Sequence, residues 1–116
     1  MQGSIEKRGS IGIAWFDHPP VNAISQDVRL GLMSALETAA SDDEIKALVI
    51  ACRGRTFMAG ADITEFGGPP KPPGLPDVVT ALSKSPKPLI AAIFGTTFGG
   101  GFEVALASNY RIAQAG

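Results

Sequence analysis

The chain has few of the side chains that most often carry nucleophilic or metal chemistry. It contains one cysteine, Cys52, and one histidine, His18, among 116 residues. A single cysteine cannot form an internal disulfide, and its place in an apolar run indicates an inert core thiol. The sequence has no Gly-x-Ser-x-Gly elbow for a histidine to serve, so we interpret His18 as a solvated loop residue. No cluster of metal ligands is visible, and we expect no metal site.

Charge and hydropathy exclude further classes of protein. The net charge is −1, which gives no electrostatic reason to expect a nucleic-acid or membrane partner. The apolar runs are much shorter than the roughly 20 residues that cross a bilayer, and no signal peptide is recognisable. With 45% hydrophobic and 18% charged residues, the composition is typical of globular proteins. We expect a cytoplasmic protein, or an organellar one if the source is eukaryotic.

The first half of the chain predicts strands around one helix. Two short strands, near residues 4–7 and 11–16, are joined by Arg-Gly-Ser, which is reasonable hairpin chemistry. Ser25 is a plausible N-cap for a helix that runs to about Ala40 with one apolar face. The run 47–52 has no polar residue, which predicts a strand buried on both faces and therefore an α/β fold.

The second half alternates a proline-rich stretch with apolar elements. Residues 67–76 contain five of the nine prolines, so we predict a loop that is neither a regular helix nor a central strand. A short helical pattern follows near Val78, and the apolar run 89–94 predicts another strand.

Two turns of small residues follow the apolar strands. FMAGADITEF occupies 57–66, and GTTFGGGFEVAL occupies 95–106. Three consecutive glycines that lead into a helix allow backbone N–H groups to approach a ligand, and the helix dipole favours an anion there. Glu103 lies in the first turn of this predicted helix. A merely flexible turn is the alternative for the triple-glycine segment alone, but two turns of small residues with one glutamate suggest an oxyanion hole beside an acid/base group.

These two segments resemble the signature segments of the crotonase (enoyl-CoA hydratase/isomerase) superfamily. HPPVNAI at 18–24 and ASNYRIA at 107–113 are similar to that family as well, so the resemblance covers almost the whole chain. It implies a crotonase-like spiral of ββα units. Because a crotonase domain is roughly twice as long, residues 1–116 are expected to be the N-terminal part of one such domain, apparently truncated.

The resemblance also implies roles for individual residues. The thioester oxygen of an acyl-CoA would lie between the backbone N–H groups of Ala61 and Gly100, and Glu103 would take the proton from water. Asp62 is better explained as a residue that orders its own turn than as a catalytic group. Two arginines, Arg53 and Arg55, could meet phosphates or simply be solvated, and solvation is favoured. The expected acyl-CoA-binding residues are Val21, Ala23, Ala59, Ala61, Asp62, Ile63 and Gly100.

Within the superfamily, Glu103 favours enoyl-CoA hydratases over isomerases. The second glutamate of hydratases would follow Gly116, so residues 1–116 alone are expected to be inactive. The sequence after residues 60–62 resembles that of multifunctional β-oxidation enzymes, in which an NAD-dependent dehydrogenase domain follows the hydratase domain. Hydration itself needs no cofactor. Family members assemble as trimers or dimers of trimers, so a homo-oligomer is expected. The alternatives are isomerase chemistry and a non-catalytic acyl-CoA-binding or assembly half-domain.

Overall fold

The chain forms a five-stranded mixed sheet with two helices. The structure, a computed structural model, describes residues 2–54, 57–58, 60, 68–69, 71–93 and 110–113. The sheet order is β1-β2-β3-β4-β5; β1 and β2 are antiparallel and every later neighbour is parallel. This confirms the predicted α/β class. The elements are β1 (Ser4–Arg8), β2 (Ile11–Phe16), α1 (Gln26–Ser41), β3 (Ala47–Cys52), α2 (Leu75–Ser83), β4 (Leu89–Ile93) and β5 (Tyr110–Ala113).

The predicted hairpin is present at the edge of the sheet. Arg8 pairs with Ile11, so the turn is made by two residues. Gly9 has a φ of 60° there, a conformation that costs glycine little because it has no Cβ. The turn residues therefore account for the register of β1 on β2.

Helix α1 begins where the sequence predicts. The Ser25 hydroxyl accepts a hydrogen bond from the Val28 N–H at 3.2 Å, which satisfies one of the unpaired donors of the first turn. Helix α1 is one residue longer than predicted and ends at Ser41. The residues of its buried stripe are Val28, Gly31, Leu32, Ala35 and Ala39.

The core lies between the helices and one face of the sheet. Alternate residues of β2, β3 and β4 point to this face, and they pack with the apolar faces of α1 and α2 in one cluster. Strand β3 was predicted to be buried on both faces; five of its six residues are buried and Val49 is half-buried. Large side chains buried in the core include Phe16, Leu32, Leu48, Ile50, Phe57, Leu82 and Leu89.

The prediction of a non-helical segment at 67–76 is wrong at its end. Helix α2 begins at Leu75, so Pro76 lies in its first turn. Proline is tolerated there because the N–H groups of the first turn have no partner within the helix. Residues 71–74 are not helical, as predicted.

Two predictions for the second half of the chain lie outside the described residues, and one strand there was not predicted. Strand β4 extends to Ile93, and Phe94, which was predicted to continue it, lies outside the described residues. The helix predicted around Glu103 lies outside them as well. Strand β5 was not predicted from hydropathy, because its four residues include the polar pair Tyr110 and Arg111.

Neither of the two helices in the described part of the chain combines the length and apolar character needed to span a bilayer.

We expect the replacement Ser25→Ala to destabilise the protein by about 1 kcal/mol, because it removes the acceptor for the Val28 N–H. Thermal unfolding would show this as a lower Tm. The matched control is Ser41→Ala at the other end of α1, where the exposed hydroxyl only donates back to the Glu37 and Thr38 carbonyl groups. Equal Tm values for the two variants would contradict the N-cap assignment.

Candidate functional site

The candidate site lies along one edge of the sheet. Strands β2, β3 and β4 are parallel, and Phe16 at the end of β2 pairs with Cys52 at the end of β3. The chain that follows each strand therefore leaves from the same edge, which is where open α/β sheets bind ligands. The segments that begin there are the loop before α1, the stretch after Cys52 that contains 57–66, and the stretch after Ile93 that contains 95–106.

The structure describes only part of the predicted site. Val21 and Ala23 lie in the loop between β2 and α1, at this edge. The other predicted site residues lie outside the described residues, and their roles stay predictions; they are Ala59, Ala61, Asp62, Ile63, Gly100 and Glu103.

Asn22 organises the loop before α1. Its φ of 55° is in the left-handed region, and only 2% of the residue is exposed. Its N–H donates to the His18 carbonyl at 2.7 Å, and its Oδ1 accepts from the His18 N–H at 2.6 Å. Its Nδ2 donates to the Arg53 carbonyl at 2.8 Å. One side chain therefore closes the loop on itself and fastens it to the residue after β3.

The sequence interpretation gave Asn22 no role. Asparagine tolerates the left-handed conformation and hydrogen-bonds nearby backbone, so its place after two prolines was a signal for a tight turn. Nothing in the sequence pointed to its second partner, Arg53, which is 31 residues away.

A backbone hydrogen bond joins the same loop to the first small-residue segment. The Ile24 N–H donates to the Gly60 carbonyl at 2.6 Å. Gly60 is buried and has a φ of 123°, which side-chain-bearing residues rarely adopt. Just before it, the Phe57 and Met58 side chains are fully buried in the core. The segment is thus anchored by two core side chains and then held at Gly60.

Within the loop, the two residues expected to line acyl-CoA differ in exposure. Val21 is 38% exposed, whereas Ala23 is half-buried and its carbonyl accepts from the Ser25 N–H at 2.9 Å. His18 is half-buried, and its backbone is engaged by Asn22.

Arg53 is solvent-exposed at the end of β3, and its guanidinium carbon lies 4.2 Å from the centroid of the Trp15 ring. Trp15 belongs to the set of β2 residues that point away from the helices. A cation–π contact therefore holds this charge beside the opposite face of the sheet. Arg55, the other arginine considered for phosphate binding, lies outside the described residues.

Glu6 is held in an ion pair and is a poor candidate for acid/base chemistry. Its carboxylate accepts from Arg8 Nε at 2.6 Å and from Trp15 Nε1 at 3.0 Å. Hydrogen bonding from Arg8, and next from Trp15, lowers the pKa of Glu6. The lowered pKa makes its carboxylate a weaker base.

The Cys52 thiol behaves as part of the core. Burial raises the pKa of Cys52 to about 12, and the backbone N–H of Met58 opposes this only in part. The thiolate, which is the nucleophilic form, is therefore scarce near neutral pH. Among the described residues, no group of three His, Cys, Asp or Glu side chains could hold a metal ion.

Comparison with known proteins gives a consistent family. The family model described as enoyl-CoA hydratase/isomerase matches residues 6–115. A peroxisomal bifunctional enzyme from Danio rerio is 43% identical over 105 residues, which cover 90% of this chain and 15% of that enzyme. A probable enoyl-CoA hydratase from Bacillus subtilis (strain 168) is 36% identical over 110 residues, covering 89% of this chain and 43% of the relative.

The fold matches solved structures as well. The crystal structure of an enoyl-CoA hydratase/carnithine racemase from Magnetospirillum magneticum superposes with a TM-score of 0.84 at 28% identity, covering 94% of this chain and 45% of that one. The described strands and helices thus match the N-terminal half of such structures. The chain spans less than half the length of each of these relatives.

We expect Asn22→Gly to destabilise the protein by about 1–3 kcal/mol, because the side-chain hydrogen bonds to the His18 N–H and the Arg53 carbonyl are lost. Asn22→Ala should be less stable still, since alanine is strained at positive φ whereas glycine is not. Chemical denaturation of the two variants measures both effects. If the alanine variant were as stable as the glycine variant, the left-handed turn would not be required.

We expect native Cys52 to react with iodoacetamide at pH 8 on the order of a thousandfold more slowly than the unfolded chain, because its raised pKa leaves little thiolate. Mass spectrometry of timed reactions with and without denaturant measures the two rates. Similar rates in both states would show that the thiol is accessible and ionised.

Proposed function

Because the chain belongs to the enoyl-CoA hydratase/isomerase family, we propose that the protein carrying it is an enoyl-CoA hydratase of fatty-acid β-oxidation. The substrate would be a trans-2-enoyl-CoA thioester, to which the enzyme adds water across the double bond in the syn sense.

One observation carries this proposal. The two small-residue segments follow β3 and β4, which are neighbouring parallel strands, and the loop before α1 is hydrogen-bonded to the first of them through Ile24 and Gly60. Two backbone segments that start side by side can supply two N–H donors to one oxygen atom. This is the requirement for stabilising an enolate.

The proposed chemistry assigns the two donors to the N–H groups of Ala61 and Gly100. As Glu103 takes a proton from water, the water oxygen bonds to C3 and the π electrons move to the thioester oxygen. The resulting oxyanion accepts hydrogen bonds from both donors. A second acid then protonates C2. Removal of one such donor typically costs about 3–4 kcal/mol of barrier.

Around this centre, the proposed acyl-CoA site includes the backbone near Val21 and Ala23 and the segment of Ala59, Asp62 and Ile63. Asp62 would order its turn so that the Ala61 N–H faces the substrate. The loop before α1 is suited to a binding role because Asn22 holds its backbone in one conformation.

Two alternatives remain distinct from this proposal. Isomerase chemistry uses the later glutamate and does not need Glu103, whereas a non-catalytic acyl-CoA-binding or assembly half-domain needs neither. Hydration is favoured by the presence of Glu103 and by the relative from Bacillus subtilis, which is described as a probable enoyl-CoA hydratase.

The relative from Danio rerio suggests a wider setting. It is described as bifunctional and peroxisomal, and the matched part is 15% of its length. If a dehydrogenase module accompanies this chain, that module would use NAD, while hydration itself would use no cofactor. We propose a homo-oligomer, a trimer or dimer of trimers, located in the cytoplasm or, in a eukaryote, in an organelle.

We expect Glu103→Gln in the complete protein to lower kcat for crotonyl-CoA hydration about 10²–10⁴-fold, because the amide cannot accept the water proton. Loss of absorbance of the enoyl thioester measures the rate. The matched control is Glu37→Gln on the exposed side of α1, which should leave kcat unchanged.

Three outcomes separate the candidate functions. If kcat for hydration in the Glu103→Gln variant equals that of the wild type, the role of Glu103 is refuted. Isomerisation of a 3-enoyl-CoA without hydration would favour the isomerase. Binding of acyl-CoA with neither reaction would favour the non-catalytic half-domain.

A further inference from the structure

Arg29, in the first turn of α1, is hydrogen-bonded to the backbone of the loop before the helix and of one distant segment, residues 71–73. Its half-buried side chain donates from Nη1 to the Ile24 carbonyl at 3.0 Å, from Nε to the Pro73 carbonyl at 2.6 Å and from Nη2 to the Lys71 carbonyl at 3.0 Å. The neighbouring Gln26 donates from Nε2 to the Pro72 carbonyl at 2.9 Å. Two side chains of one helical turn therefore bind three consecutive carbonyl groups of 71–73.

The chemistry of this contact suits arginine. The guanidinium holds several N–H donors in a fixed plane, so a single side chain can bind three separate carbonyl groups at once. The acceptor segment includes Pro72 and Pro73, which have no N–H and cannot donate to a strand or helix. Such a segment can be held through its carbonyl oxygens, and Arg29 and Gln26 supply the matching donors.

The contact with Ile24 links Arg29 to the candidate site. The Ile24 carbonyl accepts from Arg29, and the Ile24 N–H donates to the Gly60 carbonyl. Gly60 directly precedes Ala61 in the sequence, and Lys71 follows the same stretch of chain. One guanidinium is thus joined to Gly60 through Ile24 and bonded directly to Lys71 and Pro73, so both ends of the stretch between residues 60 and 71 are tied to it.

We propose that Arg29 is a positioning residue for the acyl-CoA site. Its three hydrogen bonds to Ile24, Lys71 and Pro73 hold the residues on either side of the stretch that contains Ala61. The inference rests on the proposed function, in which the Ala61 N–H is an oxyanion donor. Arg29 itself touches no reacting atom in this proposal. It acts by setting where that donor lies, and a displacement of about 1 Å can cost on the order of a hundredfold in rate.

The test compares Arg29→Lys, Arg29→Gln and Arg29→Ala in the complete protein. We expect Arg29→Gln to lower kcat for crotonyl-CoA hydration about tenfold to a hundredfold, with a smaller change in KM and a folded protein at the assay temperature. Arg29→Lys keeps a charged donor that can reach only some of the carbonyl groups, so its kcat should be intermediate. Guanidinium chloride well below denaturing concentrations should restore part of the activity of Arg29→Ala, whereas sodium chloride at equal ionic strength should not.

The matched control is Arg8→Gln, which removes an arginine from the β1–β2 hairpin and should leave kcat unchanged. Gln26→Ala removes the bond to the Pro72 carbonyl but leaves the bonds of Arg29 in place, so it should reduce kcat less than Arg29→Gln. The proposal is overturned if Arg29→Gln lowers Tm while kcat of the folded protein equals that of the wild type. It is also overturned if guanidinium gives no rescue and lysine is no better than glutamine.

A second readout does not depend on the reaction. Hydrogen exchange of the Ile24 amide reports its bond to Gly60, and we expect it to be faster in Arg29→Gln and unchanged in Arg8→Gln. If the wild-type protein hydrates no enoyl-CoA, the proposed function fails, and faster exchange would still support the tie between Arg29, Ile24 and Gly60. Unchanged exchange would refute the positioning role whatever the activity.

Discussion

The parallel pairing of β2, β3 and β4 is the constraint on which the rest of the structure depends. Parallel neighbours cannot be joined by a tight turn, so each connection must cross the face of the sheet, here through α1 and then α2. Those crossings bury the core, and they return β3 and β4 to the direction of β2. As a result, three connections begin at one edge. The strand topology alone therefore places the segments proposed for binding at that edge, whatever their side chains are.

Topology brings these connections to one edge, and hydrogen bonds among the described residues join two of them. Asn22 closes the loop before α1 and ties it to the end of β3, while Ile24 ties it to Gly60. Asn22 and Ile24 are themselves buried, so these bonds satisfy polar groups that water does not reach, and their loss is costly. The loop is therefore built into the sheet edge, so that its backbone can present a constant surface to a ligand.

The sequence predicted what depends on near neighbours. The hairpin, the Ser25 cap, β3 and the core thiol Cys52 all follow from local residue types or from apolar runs. The long-range bonds of Asn22 and Arg29 were not recognised, because the Arg53 and Pro73 partners lie 31 and 44 residues away and pairing at that distance follows from the fold. Pro76 was misjudged for a different reason, since proline excludes a helix interior but not its first turn. The candidate residues Ala61, Gly100 and Glu103 came from a resemblance and stay predictions.

The two cations that bind backbone around α1 show that its ends have different roles. Lys87 donates to the Ala39 and Asp42 carbonyl groups at the C-terminal end, where the helix dipole favours a positive charge. Arg29 lies at the N-terminal end, where the same dipole disfavours one by roughly 0.3–1 kcal/mol. Lys87 thus stabilises the helix directly, and it also joins the residues just before β4 to the C-terminal end of the helix. Arg29 offsets an unfavourable position with bonds to 71–73, so its placement is better explained by the segment that it holds than by the stability of α1.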